Sequence, residues 1–289
     1  MHRFLQICTR VALGIACLSG FCRAQDFQVP NAVTAGDEAD ISTAGSGKGT
    51  FYLIGPGVSR KSEVNLGENI HLQAQDTRNA GDYLAIVCSS TCRNTGFYVS
   101  AAKPVSLTFL VHPSRVPVAQ GDAISGVALP FDQFHNLVLR PLTVNFQIAS
   151  GDASLLSRPV PTQNGAAWFR ASSGKSAGAL QVTAAIDDLS VRRAVQQVAS
   201  DPCNLRITGQ RTKVGITVQT EPVRDCVGNP VPDGTIVTFT ATSANGKSSV
   251  DAPIKRGIAQ AQMMASGAAS ISAASGVVMG NEVRVGAQP

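Results

Sequence analysis

Apolar and polar residues alternate along most of the chain instead of recurring every three or four positions. Alternation puts successive side chains on opposite faces, which is typical of half-buried β-strands. The pattern therefore predicts strands, most clearly at Leu107–Val111, Val144–Ile148, Leu180–Ala184, Val237–Ala241 and Ala269–Ala273.

Turn-forming residues separate these short runs, and no stretch has the period of a long amphipathic helix. Short strands with frequent turns are the spacing expected of β-sandwiches or barrels. The sequence therefore predicts an all-β fold, with turns at Gly165, Asp233-Gly234, Asn245-Gly246 and Gly280-Asn281.

One segment of the chain repeats at an offset of 93 residues. Asp132-x3-Asn136 recurs as Asp225-x3-Asn229, and each copy is followed by a Phe at the same distance, by a Gly-x-Ala step and by a glycine that opens an alternating run. Self-similarity at a fixed period indicates repeated modules. We expect two homologous modules of about 90 residues, the size of an immunoglobulin-like sandwich.

The region before the repeat has strands of its own. Its segment Asn79–Val87 reads Asn-Ala-Gly-Asp-Tyr-Leu-Ala-Ile-Val, which looks like the sixth strand of an immunoglobulin domain, with Tyr83 in the place of the corner tyrosine. The chain is therefore interpreted as three tandem immunoglobulin-like β-sandwiches after a signal peptide. The predicted bounds are 1–24 for the signal peptide and 26–103, 104–200 and 201–289 for the sandwiches.

Residues 1–24 have the pattern of a secretory signal peptide. A basic start with Arg3 and Arg10 precedes the eleven-residue stretch Val11–Phe21, and Cys22-Arg-Ala24 places small residues before a cleavage site after Ala24. Eleven residues are too few for the roughly 20 that span a bilayer, so the sequence predicts no transmembrane segment in the mature chain. A lipoprotein signal with Cys17 or Cys22 as the anchor is the alternative, but neither cysteine has the usual residues before it.

Composition and charge argue against one class of partner. The chain is 44% hydrophobic, 15% charged and 5% aromatic, with a net charge of +5. Removing residues 1–24 takes away three arginines and no acid, which leaves 21 basic against 19 acidic residues, or about +2. Dispersed basic residues such as Arg192 and Arg193, without interleaved aromatics, argue against a nucleic-acid partner.

Four of the seven cysteines follow the signal peptide, and an even number in an exported chain indicates disulfides. Four cysteines allow three connectivities. We favour the two pairs that stay within one module each. A zinc site is the alternative, but no histidine lies near either pair. The preferred pairs are Cys88–Cys92 and Cys203–Cys226.

The third module resembles the group 1 bacterial Ig-like repeats of the invasin and intimin type. The resemblance rests on the segment Asp225–Ala241, on Gly257-x-Ala259, and on Gly267 with Ile271-Ser-Ala273. The second module shows a fainter version, and the first has only a general immunoglobulin-like look. The family implies adhesion or spacer roles at the cell surface. The chain shows neither the membrane barrel nor the lectin-like tip of invasin and intimin, so their route of export and receptor binding is not carried over.

Candidate catalytic and binding residues are few. His71, His112 and His135 are the histidines beyond the signal peptide, and no Gly-x-Ser-x-Gly motif accompanies them. The loop Gly45–Thr50 lacks the Ser or Thr and the helix of a phosphate loop. Asp187-Asp188 is interpreted as a solvated turn, and calcium at a linker through Asp201 is an alternative use of an acid. The sequence thus predicts no catalytic residue, no metal and no cofactor.

The single tryptophan, Trp168, lies in an alternating stretch and is expected to be buried or partly covered. Two function classes follow. The first is an exported, non-enzymatic array of bacterial Ig-like domains for cell-surface adhesion, spacing or protein binding. The alternative is a soluble carbohydrate-binding or enzyme-accessory protein, in which Trp168 or the pair Tyr52 and Tyr98 would contact sugar. The expected partner is a surface protein or a glycan, and the expected location is the cell surface, the medium or the periplasm.

Overall fold

A computed structural model describes residues 27–286 and shows an all-β protein, as predicted. The signal peptide predicted for residues 1–24 lies outside the described residues. No segment between residues 27 and 286 forms a helix with the length and apolar character needed to cross a membrane. The described residues divide into two compact units, of which the first comprises 27–33, 37–77 and 81–99, and the second comprises 34–36, 78–80 and 100–286.

The strands of the first part of the chain form two sheets. Strands β1, β3 and β6 form one sheet, and the order β2-β8-β7-β4-β5 forms the other. Alternation along each strand places residues such as Ile41, Phe51 and Leu53 in a core with no exposure. The bounds are β1 Phe27–Gln28, β2 Val33–Thr34, β3 Ala39–Thr43, β4 Lys48–Gly55, β5 Val58–Asn65, β6 Asn69–Leu72, β7 Gly81–Cys88 and β8 Cys92–Ser100.

Tyr83 lies near the start of β7, as the immunoglobulin-like pattern predicts. Its ring is buried and stacks on Phe97, with centroids 5.3 Å apart. Gly55 lies against this ring, because a Cβ at Gly55 would come within 2.4 Å of a Tyr83 ring carbon. The tyrosine therefore requires glycine at the end of the neighbouring strand β4.

The second unit contains two hydrophobic cores, each between a pair of sheets. The first core lies between the sheets β10-β16-β15-β12-β13 and β14-β11-β9. Phe146 is at its centre, with ring centroids 5.8 Å from Phe109 and 4.7 Å from Phe169. The bounds are β9 Ser106–His112, β10 Arg115–Pro117, β11 Ile124–Phe131, β12 Thr143–Ser150, β13 Ala153–Pro161, β14 Ala167–Ala171, β15 Gly178–Ile186 and β16 Leu189–Val198.

The second core lies between the sheet β17-β18-β21 and the sheet β20-β19-β22-β23, with β24 also paired to β22. Val237, Phe239 and Ile271 are fully buried there. The equivalent phenylalanines of the sequence repeat, Phe146 and Phe239, thus occupy the centres of successive cores. The bounds are β17 Ile207–Thr212, β18 Gly215–Thr220, β19 Ile236–Ser243, β20 Gly246–Pro253, β21 Gln260–Met263, β22 Ala269–Ser275, β23 Val278–Met279 and β24 Val283–Val285.

The four cysteines form the two predicted disulfides. Cys88 and Cys92 face each other in register at the end of the β7–β8 hairpin, with Cα atoms 4.0 Å apart. Cys203 and Cys226 join the segment before β17 to the loop after β18, with Cα atoms 4.7 Å apart. Because all four sulfurs are in disulfide bonds, none is a thiolate that could bind zinc.

Removing the Cys203–Cys226 disulfide should cost more stability than removing the other one. In the chain-entropy model, its separation of 23 residues corresponds to about 3 kcal/mol. The Cys88–Cys92 loop is much shorter and should contribute about 2 kcal/mol or less. Urea unfolding of the two double Cys→Ser variants measures this difference, and equal losses would contradict the loop-length argument.

Candidate functional site

His71 belongs to an exposed cluster of charges. Its Nδ1 lies 3.0 Å from Asp40 Oδ1, and its Nε2 lies 3.5 Å from Glu38 Oε2. The hydrogen bond to Asp40 is the main reason that the pKa of His71 is raised above its usual value, and Glu38 adds to it. The described part of the chain has no group of three or more His, Cys, Asp or Glu side chains that could hold a metal ion.

The other sequence candidates lie in loops or turns. His135 has a positive φ of 65° and lies in the loop after β11. Asp187 and Asp188 form the turn between β15 and β16. The glycine-rich loop that begins at Gly45 leads directly into strand β4. The structure does not bring any of these residues together.

The repeated Asp-x3-Asn motif forms a local hydrogen-bond arrangement that we call the clasp. In the first clasp, Asp132 Oδ1 accepts the N–H groups of Phe134 and Asn136, and its Oδ2 accepts the N–H of Ala102 and the side-chain amide of Asn136. Asn136 also donates to the carbonyl of Arg78 and accepts the N–H of Ala80. All these residues belong to the second unit.

The second clasp repeats the same bonds 93 residues later. Asp225 Oδ1 accepts the N–H groups of Val227 and Asn229, and its Oδ2 accepts the N–H of Ser200 and the side-chain amide of Asn229. Asn229 also donates to the carbonyl of Lys175 and accepts the N–H of Ala177. Since Lys175 and Ala177 lie between β14 and β15, this clasp connects the two sandwiches of the second unit.

The aspartates of both clasps are buried, with 1% of Asp132 and 4% of Asp225 exposed. Burial by itself raises the pKa of each carboxyl. The hydrogen bonds from the paired asparagine side chain and from backbone N–H groups outweigh it and lower the pKa below its usual value. Because N–H donors occupy both oxygens, the carboxylate at the linker acts as a hydrogen-bond acceptor. Asp201, which the sequence suggested as an alternative calcium ligand at a linker, is exposed and takes no part in the clasp.

The first unit exposes an apolar surface, the tyrosine face, on the sheet of β4, β5, β7 and β8. In register across this sheet, Leu84 lies between Ile54 and Gly96, and one row along, Ile86 lies between Tyr52 and Asn94. Ile54 is 48% exposed and Tyr98, diagonal to Leu84, is 45% exposed. Lys61 Nζ lies 5.7 Å from the centre of the Tyr52 ring.

The second unit exposes a smaller apolar surface, the tryptophan face, on the sheet of β14, β11 and β9. Trp168, Val127 and Leu110 lie in one row across the three strands. Trp168 is 64% exposed and Leu110 is 58% exposed. The prediction that Trp168 is buried or partly covered is therefore wrong, because its neighbours Ala167 and Phe169 are the residues that point into the core.

The tryptophan face continues on both sides of this row. On one side, Arg170, Ser125 and His112 form the next row. On the other side, a bridge pairs Phe131 with Leu137, and antiparallel continuation places the half-exposed Leu139 beside Leu129. Exposed apolar patches of this kind mark interaction sites more often than isolated exposed residues do.

Solved structures with the same fold support this description. The chain aligns with FdeC, described as a broadly conserved Escherichia coli adhesin, at a TM-score of 0.65 and 12% identity, over 92% of this chain and 98% of that one. It aligns with invasin, described as a bacterial integrin-binding protein, at a TM-score of 0.50 and 10% identity, over 91% of this chain and 60% of that one. No protein-family model and no curated protein matches the sequence. These similarities show an immunoglobulin-like fold and confirm the predicted fold class.

Replacing Asp225 with Asn should loosen the second clasp. The new amide would face the N–H of Ser200 and the amide of Asn229, donor against donor, and a hydrogen bond to a charged group contributes about 1.5–3 kcal/mol. Hydrogen–deuterium exchange should become at least tenfold faster at the Ser200 and Asn229 amides. The matched control is D188N, in an exposed turn, and its exchange should equal that of the wild type. Unchanged exchange in D225N would show that the clasp has no role.

The clasps should also weaken in acid. Because the folded pKa of Asp225 is below the ordinary 3.8, its stabilising effect is complete above that value and is lost as the pH falls through the lowered folded pKa. Exchange at Ser200, corrected for its intrinsic pH dependence, should therefore accelerate below about pH 4 in the wild type but not further in D225N. Chelation with EDTA at pH 7 should change neither protein, and a loss of protection in EDTA would show that a cation holds the joint.

Proposed function

We propose that the protein is an exported, non-enzymatic array of bacterial Ig-like domains that acts in cell-surface adhesion, spacing or protein binding. The fold similarity to FdeC and invasin supports an adhesive role at a general level. The proposal includes three modules at 26–103, 104–200 and 201–289, the third of the group 1 invasin and intimin type. The dispersed histidines and the exposed position of Asp187 and Asp188 in a turn support the non-enzymatic assignment.

The tyrosine face is the observation that carries the proposal. Its four long strands, at about 4.8 Å between strands and 3.3 Å per residue, cover about 500 Å². A standard protein interface buries roughly 800 Å² on each partner. The area of this face together with its margins is therefore of the size that a protein partner would cover. Tyrosine and aliphatic side chains at the centre, with Lys61 and Asp82 beside them, have the composition of a protein-binding surface.

Substituting the centre of the tyrosine face tests the proposed adhesion. In the double variant I54S/Y98S, adherence of protein-coated beads to cultured cells should fall at least fivefold, because both exposed apolar contacts are removed. The control is V277S, since Val277 is 91% exposed in a turn of the second unit and its substitution leaves the face intact. Undiminished adherence of a folded I54S/Y98S protein would overturn the role of this face.

Export is a separate part of the proposal and has its own test. Cleavage after Ala24 should give a mature protein that begins at Gln25, and intact mass spectrometry of the exported material measures its N-terminus. A lipid-modified N-terminus at Cys17 or Cys22 would instead identify a lipoprotein.

A carbohydrate-binding protein is the second candidate, and the exposure of Trp168 is the observation that favours it. An exposed indole on a flat sheet can stack on an apolar face of a sugar ring. Glycan binding that depends on Trp168 would support this candidate. Bead adherence without glycan binding would support the first.

A further inference from the structure

We propose that the tryptophan face binds an acidic glycan, with the sugar ring on Trp168 and its carboxylate on Arg170. This inference rests on the second candidate function and adds the chemical class of the ligand.

The size of the tryptophan face favours a glycan over a protein. Three strands of about seven residues, at 4.8 Å between strands and 3.3 Å per residue, give an area of about 330 Å². This is less than half of the roughly 800 Å² that a standard protein interface buries on each partner. A short oligosaccharide lying along the row Trp168, Val127 and Leu110 needs about 10 Å, which is the distance across two strand spacings.

The charge of the face selects an anion. The ten outward positions of β9, β11 and β14 include Arg170 and His112 but no acidic residue. The guanidinium of Arg170 makes no ion pair with a carboxylate of residues 27–286. Arginine binds carboxylates through two parallel N–H···O bonds, which gives geometric specificity as well as affinity.

The spacing of Trp168 and Arg170 fits one acidic sugar. The two residues are separated by one position on β14, so they are on the same face and about 6.6 Å apart along the strand. A pyranose ring stacked on the indole of Trp168 would then direct the carboxylate attached to that ring towards the guanidinium of Arg170. Ser125 and His112, in the row of Arg170, provide hydrogen-bonding groups for the hydroxyls of the sugar.

Calorimetric titration with a defined pair of ligands tests the inference. The probe is a tetramer of galacturonic acid, and its matched control is the same tetramer with its carboxylates reduced to alcohols. The purified chain should bind the acidic tetramer at least tenfold more tightly than the reduced one. Higher salt should weaken binding of the acidic tetramer, because part of the attraction is between exposed charges.

Four variants assign the binding to the face. W168A should lose binding of both tetramers, and W168Y should keep part of it. R170A should bind the acidic tetramer only as weakly as the reduced one, whereas R192A, which removes an exposed arginine from the other sheet, should bind like the wild type.

Three results would overturn the inference. If the wild type binds neither tetramer, the face does not take an acidic glycan. If it binds both equally and W168A abolishes both, the carbohydrate function survives but the acidic ligand is wrong. If W168A reduces bead adherence to cells from which acidic sugars have been removed enzymatically, the face binds protein instead.

Discussion

A buried aspartate that accepts four N–H groups is the interaction on which the second unit depends. Burial of a charge is costly unless it is fully hydrogen-bonded. Asp225 meets this condition by drawing its donors from three places: the linker at Ser200, the loop of Val227 and Asn229, and the Asn229 side chain. One carboxylate therefore orients the linker and the loop together, and Asn229 transmits that orientation to the neighbouring sandwich through Lys175 and Ala177.

A disulfide bond reinforces the second clasp but not the first. Cys226 follows Asp225 directly, and its disulfide to Cys203 ties the end of the linker to the clasp loop. The backbone N–H of Cys203 also donates to the carbonyl of Arg224. At the first clasp, the position after Asp132 is glutamine, and no disulfide ties the loop. The same motif is thus used with and without a covalent tie.

The sequence analysis anticipated the strands, the disulfides and the recurrence of the Asp-x3-Asn motif, because each depends on local spacing. It did not anticipate what the asparagine binds, since the partner carbonyl of Asn229 is 54 residues away. It also predicted Trp168 to be buried or partly covered, whereas its side chain is exposed. Alternation fixes which residues share a face, but Ala167, Trp168 and Phe169 are all apolar, so the pattern does not determine which face is buried. Packing of Phe169 on Phe146 determines it.

The same alternation explains how an array with few reactive groups can still present binding surfaces. Each strand has an inward set that makes the core and an outward set that the core does not constrain. On β14, Phe169 is fully buried, while Trp168 and Arg170 on either side of it face solvent. Exposed substitutions usually change stability by less than about 0.5 kcal/mol, so the outward set can be altered without loss of the fold. Trp168 in this exposed position contributes little to the core, and its indole is the group on which the proposed glycan site depends.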